Sequence, residues 1–173
     1  MNLKAAIRDV PDFPKAGIVF KDITTLLKDS AAFKAAVEAL CEPYHGQQID
    51  LVVGIESRGF IFGSVMAEKL GAGFVPVRKP GKLPAETEKE EYSLEYGEDA
   101  VEIHTDAIPD GARVLVVDDL LATGGTAAAA IRLVKKLGGV VAGAAFLIEL
   151  RFLKGRDKLG DVPLHILISY DSE

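Results

Sequence analysis

A chain of 173 residues, 49% hydrophobic and 27% charged, has the composition of one globular domain, which excludes a disordered or fibrous protein. Its 26 acidic and 20 basic residues leave a formal net charge of −6, which argues against sequence-independent binding to nucleic acid or an anionic membrane. The single cysteine, Cys41, rules out an intramolecular disulfide and a thiolate metal cluster, and fits a reducing compartment.

The N-terminal stretch MNLKAAIRDVPDFP has no apolar run of signal-peptide length, and GGVVAGAAFLIEL is too short to span a bilayer. A mature, cytoplasmic protein is expected. Residues 2–10 place Leu3, Ile7 and Val10 at helical spacing and predict a short amphipathic helix, which PDFPKAGIVFKD then breaks. Ser30 is the expected N-cap of a helix whose Phe33, Val37, Leu40, Cys41 and Tyr44 share one face, with Cys41 in the core. DLVVGI (50–55) reads as a buried strand, RGFIFGSVMAEKL (58–70) as the helix after it, and GFVPVRK (73–79) as the next strand. Residues 79–97, rich in charge, proline and glycine, predict a long loop that closes with a short strand at 92–96. RVLVVD (113–118) is the strongest strand signal. TAAAAIRLVKKLGG (126–139) is its helix, ending on glycines, and VVAGAAFLIEL and PLHILISY (163–170) complete the strands.

Short apolar strands alternating with helices predict an α/β fold: a mostly parallel twisted sheet with helices on both faces. In such sheets ligands bind beyond the carboxyl ends of the strands. The two chemically unusual segments, after Ile55 and after Val117, both fall at that edge.

In VLVVDDLLATGGT (114–126) an apolar strand runs into Asp118 and Asp119, then into Ala122, Thr123, Gly124, Gly125 and Thr126, then into a helix. The glycines permit a tight turn that gathers N–H groups, and the helix adds its unpaired amides and positive dipole end. That combination holds a phosphate, with hydroxyl donors from the threonines. The loop lacks the lysine and glycine spacing of a nucleoside-triphosphate loop. Two carboxylates beside a phosphate cradle suit a ribose 5-phosphate; the plain alternative is an acidic turn before a glycine-rich helix start. His45, His104 and His165 are scattered and form no expected metal or catalytic site.

VLVVDDLLATGGT resembles the phosphoribosyl pyrophosphate signature of the type I phosphoribosyltransferases. DFPKAGIVFKDITTLL (12–27), GIESRGFIFG (54–63), RKPGKLP (78–84) and YSLEYG (92–97) are similar to segments of the adenine-specific branch of that family, in the same order. The resemblance implies one phosphoribosyltransferase domain over 1–173, with a small N-terminal hood over about 1–30 and a mobile lid loop over about 78–97. It implies a Mg²⁺-dependent purine-salvage enzyme that converts adenine and phosphoribosyl pyrophosphate to AMP and pyrophosphate, the metal being bound mainly through substrate and water.

The resemblance also assigns roles. Asp118, Asp119 and 122–126 hold the ribose 5-phosphate. Ser57, Arg58, Lys79, Lys82 and Tyr96 hold pyrophosphate, with a cis peptide at Glu56–Ser57. Val19, Phe20, Lys21 and Leu120 hold adenine, the backbone of Val19 and Lys21 reading its edge. Lys21 departs from the arginine of other members. Glu95 is the candidate general acid or base, and it joins Arg58, Asp118 and Asp119 as catalytic groups. A homodimer is implied, with Phe60-Ile61-Phe62 as interface or core.

Composition leaves plainer alternatives at several positions: a surface arginine for Arg58, a disordered acidic loop for 78–97, an exposed strand glutamate for Glu95. Two other functions stay open at this stage, transfer to a different purine and a non-enzymatic ligand sensor. The acidic charge and the lysine-bearing loop count against the sensor.

Overall fold

The computed structural model describes residues 1–94 and 96–173. A 3₁₀ turn over Leu3–Ala6 leads into β1 (Arg8–Pro11) and β2 (Val19–Asp22), followed by α1 (Thr24–Lys28) and α2 (Ser30–Cys41). Next come β3 (Leu51–Ile55), α3 (Arg58–Leu70), β4 (Gly73–Val77), β5 (Thr87–Ser93) and β6 (Glu98–His104). The chain closes with β7 (Arg113–Leu121), α4 (Gly125–Lys136), β8 (Val140–Leu150), two 3₁₀ turns over Arg151–Leu153 and Gly155–Leu159, and β9 (Leu164–Tyr170).

Five strands form one parallel sheet in the order β4-β3-β7-β8-β9. Their sequences alternate between two cores, because successive side chains on a strand point to opposite faces. Val53, Val114, Val116, Ala144 and Phe146 pack with α4 and with Val101 and Ile103 of β6. Val52, Leu115, Val117, Ala145 and Leu147 pack with Phe62 and Met66 of α3 and with Val37 and Leu40 of α2. Both faces are covered, which is why these strands read as continuous apolar runs. From β3 the chain crosses through α3 to β4 on one side; from β7 it crosses through α4 to β8 on the other. The order therefore reverses between β3 and β7, and the crevice beyond their carboxyl ends is where ligands collect in such sheets.

Several expectations need correction. The helix expected over 2–10 ends at Ala6, and Arg8–Pro11 instead pairs antiparallel with Val19–Asp22. Asp29, not Ser30, caps α2: its carboxylate accepts from the amides of Ala31 and Ala32. The loop expected over 79–97, closing with a short strand at 92–96, instead carries a strand over Thr87–Ser93, which pairs antiparallel with Glu98–His104. The inward positions of β5 include Glu88 and Glu90, which meet Arg132 and Lys136 of α4. A strand whose inner face is charged shows no apolar alternation. β7 also runs on to Leu121 instead of ending at Asp118, so Asp119 sits inside the strand with Asp118. Cys41 is buried, and α3 spans the expected residues. No helix among the described residues is long and apolar enough to cross a membrane.

Candidate active site

Beyond Val117, β7 keeps β8 on one side but has no further pairing with β3 on the other. The first turn of α3 takes that place. Gly59 lies so close that a Cβ there would fall 2.9 Å from Asp118 Oδ1 and 3.0 Å from the Val117 carbonyl. The backbone N–H of Asp119 donates to Asp118 Oδ1 at 2.8 Å, and Arg58 Nε approaches Asp119 Oδ2 at 2.7 Å. Strand alternation separates the two acids, and the Arg58 guanidinium offsets part of their repulsion. Burial, and then the adjacent Asp119 charge, still push the Asp118 carboxyl well above the usual carboxylate range.

Both acids line a cavity of about 260 Å³ together with Glu56, Ser57, Arg58, Lys79, Leu120 and Thr126. A smaller hollow of about 80 Å³ shares Asp118, Leu120 and Thr126 with it and is walled by Ala122, Thr123 and Gly124. Gly124, at φ +85°, is the N-cap of α4 and supplies no side-chain cap, so the first amides of a twelve-residue helix have no capping side chain beside this hollow. An anion is the complementary guest. The loop is held from behind: a Cβ on Gly124 would collide with the Gly155 carbonyl, and one on Gly125 would fall 2.9 Å from the Tyr92 ring.

Cations gather around Glu56, which lines the same cavity. Glu56, joined to Ser57 by a cis peptide, accepts from Arg78 Nε at 3.0 Å, the Lys79 amide at 3.0 Å and Lys82 Nζ at 2.6 Å. Burial alone would raise the Glu56 carboxyl; those hydrogen bonds outweigh it and hold the group below its ordinary range. Lys79 Nζ pairs with Asp99 and also donates to the Tyr92 hydroxyl at 2.9 Å. The Arg58 guanidinium stands 5.5 Å from the centre of the Phe20 ring. Lys21, two residues from Val19 on the same strand, pairs with Asp9 at 2.9 Å and stacks over Tyr170 at 4.2 Å.

Residues 24–162 match the family model for the phosphoribosyl transferase domain. An adenine phosphoribosyltransferase of Acidobacterium capsulatum is 59% identical over 168 residues, which cover 97% of this chain and 93% of that protein. The chain belongs to the adenine phosphoribosyltransferase family. The crystal structure of the Thermoanaerobacter pseudethanolicus adenine phosphoribosyltransferase is 55% identical, with a TM-score of 0.94 over 97% of this chain and 98% of that one. The Saccharomyces cerevisiae adenine phosphoribosyltransferase, solved with an imino-altritol bisphosphate and adenine, is 47% identical with a TM-score of 0.90, covering 95% of this chain and 96% of that one.

Against the residues expected of a phosphoribosyltransferase, the fold brings Ser57, Arg58, Lys79, Asp118, Asp119, Leu120 and Thr126 to one cavity, with Ala122, Thr123 and Gly124 beside it. Gly125 faces a neighbouring hollow with Tyr92 and Arg132. Lys82 joins the first cavity through Glu56. Tyr96 does not join them; it is 86% exposed at the turn between β5 and β6. Glu95 lies outside the described residues. Three residues that sequence reasoning passed over, Glu56, Tyr92 and Asp99, hold the lysines in place. Glu56 had a signal, since it stands inside the GIESRGFIFG motif; Asp99 had none.

The raised Asp118 carboxyl makes stability depend on pH. Such a group binds more protons in the folded than in the unfolded chain, so stability falls as pH climbs from the ordinary value of 3.8 toward the native one. Asp118→Asn is therefore expected to raise the unfolding temperature at neutral pH and to change it little below 3.8. Melting curves at the two pH values check this, and an equal or lower midpoint at neutral pH would contradict it.

Proposed function

We propose that this protein, an adenine phosphoribosyltransferase, joins N9 of adenine to the ribose 5-phosphate of phosphoribosyl pyrophosphate, yielding AMP and pyrophosphate in purine salvage. One observation carries the reading in detail: the cavity lined by the paired carboxylates adjoins the hollow at the start of α4, the two sharing Asp118, Leu120 and Thr126. The vicinal ribose hydroxyls donate to Asp118 and Asp119, and the 5′-phosphate accepts from Thr123, Gly124, Gly125 and Thr126. As the bond from C1′ to the pyrophosphate oxygen breaks, C1′ gains positive charge, and the carboxylates favour that state over the ground state. The leaving electron pair goes to pyrophosphate, whose charge meets Arg58, Lys79 and Lys82. Each of those cations first leaves an acidic partner, Asp119, Asp99 or Glu56 respectively. As the bond to N9 forms the purine must lose a proton, and Glu95 is the candidate acid or base that manages it near N7.

Magnesium fits the donor set. Asp118 and Asp119 present hard oxygen ligands, and among the described residues no group of three or more histidines, cysteines or acids is placed to cage a metal. Such a site suits an ion held by one or two carboxylates, water and substrate oxygens. When bound, the ion supplies positive charge to the phosphate oxygens.

Adenine is the base, as in the yeast relative. Backbone groups of Val19 and Lys21 read its edge, with Phe20 and Leu120 against its faces. Residues 1–30 act as a hood and 78–97 as a lid that excludes water, within a single domain. Because Phe62 is committed to the core while Ile61 is exposed, Ile61 is the residue of that trio offered to a homodimer interface. A clean monomer in light scattering would remove the dimer. The protein is assigned to the cytoplasm, on its lone buried thiol.

The enzyme is to be incubated with phosphoribosyl pyrophosphate, Mg²⁺ and, in turn, adenine, hypoxanthine, guanine and xanthine. AMP from adenine, with little product from the others, is the expected outcome. Absence of AMP, or equal turnover of hypoxanthine, would overturn the reading.

A further inference from the structure

Glu149 is the most deeply buried carboxylate among the described residues, 1% exposed at the end of β8, and the reaction above does not use it. It stands opposite Leu121 in register, where β7 gives way to the phosphate-cradle loop. Both oxygens are gripped by one guanidinium: Arg156 Nε donates to Oε1 at 2.6 Å and a second Arg156 nitrogen to Oε2 at 2.7 Å. Ser169 Oγ, at 3.4 Å, and Arg151 Nε, at 3.6 Å, complete its surroundings.

Arg156 belongs to the turn over Gly155–Leu159, and Gly155 lies against the cradle. A Cβ on Gly155 would collide with the Ala122 carbonyl and sit 3.0 Å from the Gly124 amide nitrogen. Leu159 anchors the far end of the turn in the core. The turn is thus fixed at two points, an apolar one and an ionic one, and its glycine is pressed on the loop that faces the anion hollow.

We propose that Glu149 and Arg156 form a positioning pair that sets the phosphate cradle from behind. Apolar side chains would hold two segments together without the desolvation a buried charge demands. What a forked, two-bond ion pair adds is fixed orientation. Here the orientation passes through one residue, Gly155, to the backbone at Ala122–Gly124. The pair touches no substrate, and its effect is confined to the phosphate end of the site. The proposal rests on the assignment of that loop to the ribose 5-phosphate.

The test compares wild type with Glu149→Gln and Arg156→Lys. Lysine keeps a positive charge beside the buried Glu149 but loses the two-bond fork, so that variant keeps the question answerable should Glu149→Gln fail to fold. Three quantities are measured on folded protein: KM for phosphoribosyl pyrophosphate, KM for adenine, and the calorimetric affinity for ribose 5-phosphate alone. KM for phosphoribosyl pyrophosphate and the Kd for ribose 5-phosphate are each expected to rise about tenfold, less than the roughly hundredfold that a displacement of about 1 Å can cost. KM for adenine is expected to stay at the wild-type value. Unchanged ribose 5-phosphate affinity in a folded variant would overturn the proposal, as would a parallel loss of adenine and phosphoribosyl pyrophosphate binding. If wild type forms no AMP, the functional reading fails separately, and the ribose 5-phosphate calorimetry still decides the role of the pair.

Discussion

Replacing both Asp118 and Asp119 with asparagine is expected to lower the rate of AMP formation by about a thousandfold while leaving the protein folded, a loss typical of removing preorganised charge from a transition state. Asparagine keeps the shape of aspartate but carries no charge and offers one good acceptor where the carboxylate offered two. Binding of the ribose hydroxyls therefore weakens, and the developing charge on C1′ loses its counter-charge. The fold is not at risk. The acids sit beyond the last β3–β7 pair, and the two like charges are themselves a source of repulsion. Arg58 loses its partner but is partly exposed and can be solvated. Turnover measured beside a circular dichroism spectrum checks both halves, and near-normal turnover would reject the role given to the pair.

Gly124→Ala is expected to weaken phosphoribosyl pyrophosphate binding about a hundredfold, because the cradle must shift to admit a methyl group. Two effects coincide at this position. The φ of +85° is strained for any residue with a Cβ, and the added atom runs into the Gly155 carbonyl, which is backbone and cannot swing aside. Strain alone costs about 1–3 kcal/mol of stability. Gly111→Ala separates the two: its φ is +79° with nothing within 4 Å of the new atom. That variant should lose stability and keep its affinity for phosphoribosyl pyrophosphate, whereas Gly124→Ala should lose both. Equal KM values for the two variants would show that the contact with Gly155 does not matter.

The parts of the fold that were legible are those where one local signal suffices. The strands β3, β7, β8 and β9 announce themselves as apolar runs, and α3 by its length. What stayed hidden depends on partners distant in sequence. β5 looks like a charged loop because Glu90 is satisfied by Arg132 and Lys136, 42 and 46 residues further on. The N-terminal periodicity of Leu3, Ile7 and Val10 lost to strand pairing with Val19–Asp22. The site divides in the same way. The acids and glycines of 118–126 carry their chemistry in sequence order, so the ribose 5-phosphate cradle proposed there rests on a signal that is read directly. The service of Glu56 to Arg78 and Lys82 spans 22 and 26 residues, and only the fold displays it. The adenine contacts proposed for Val19 and Lys21 rest on resemblance alone, since a backbone contact leaves no mark on side-chain identity.

The central claim is spatial: one end of a nucleotide on the paired acids, the other on the amides of α4. A crystal of the wild-type protein soaked with AMP tests it in a single map. The ribose hydroxyls should lie within hydrogen-bond distance of Asp118 and Asp119, with the phosphate against Thr123–Thr126. Nucleotide density elsewhere, with this crevice holding only solvent, would contradict it.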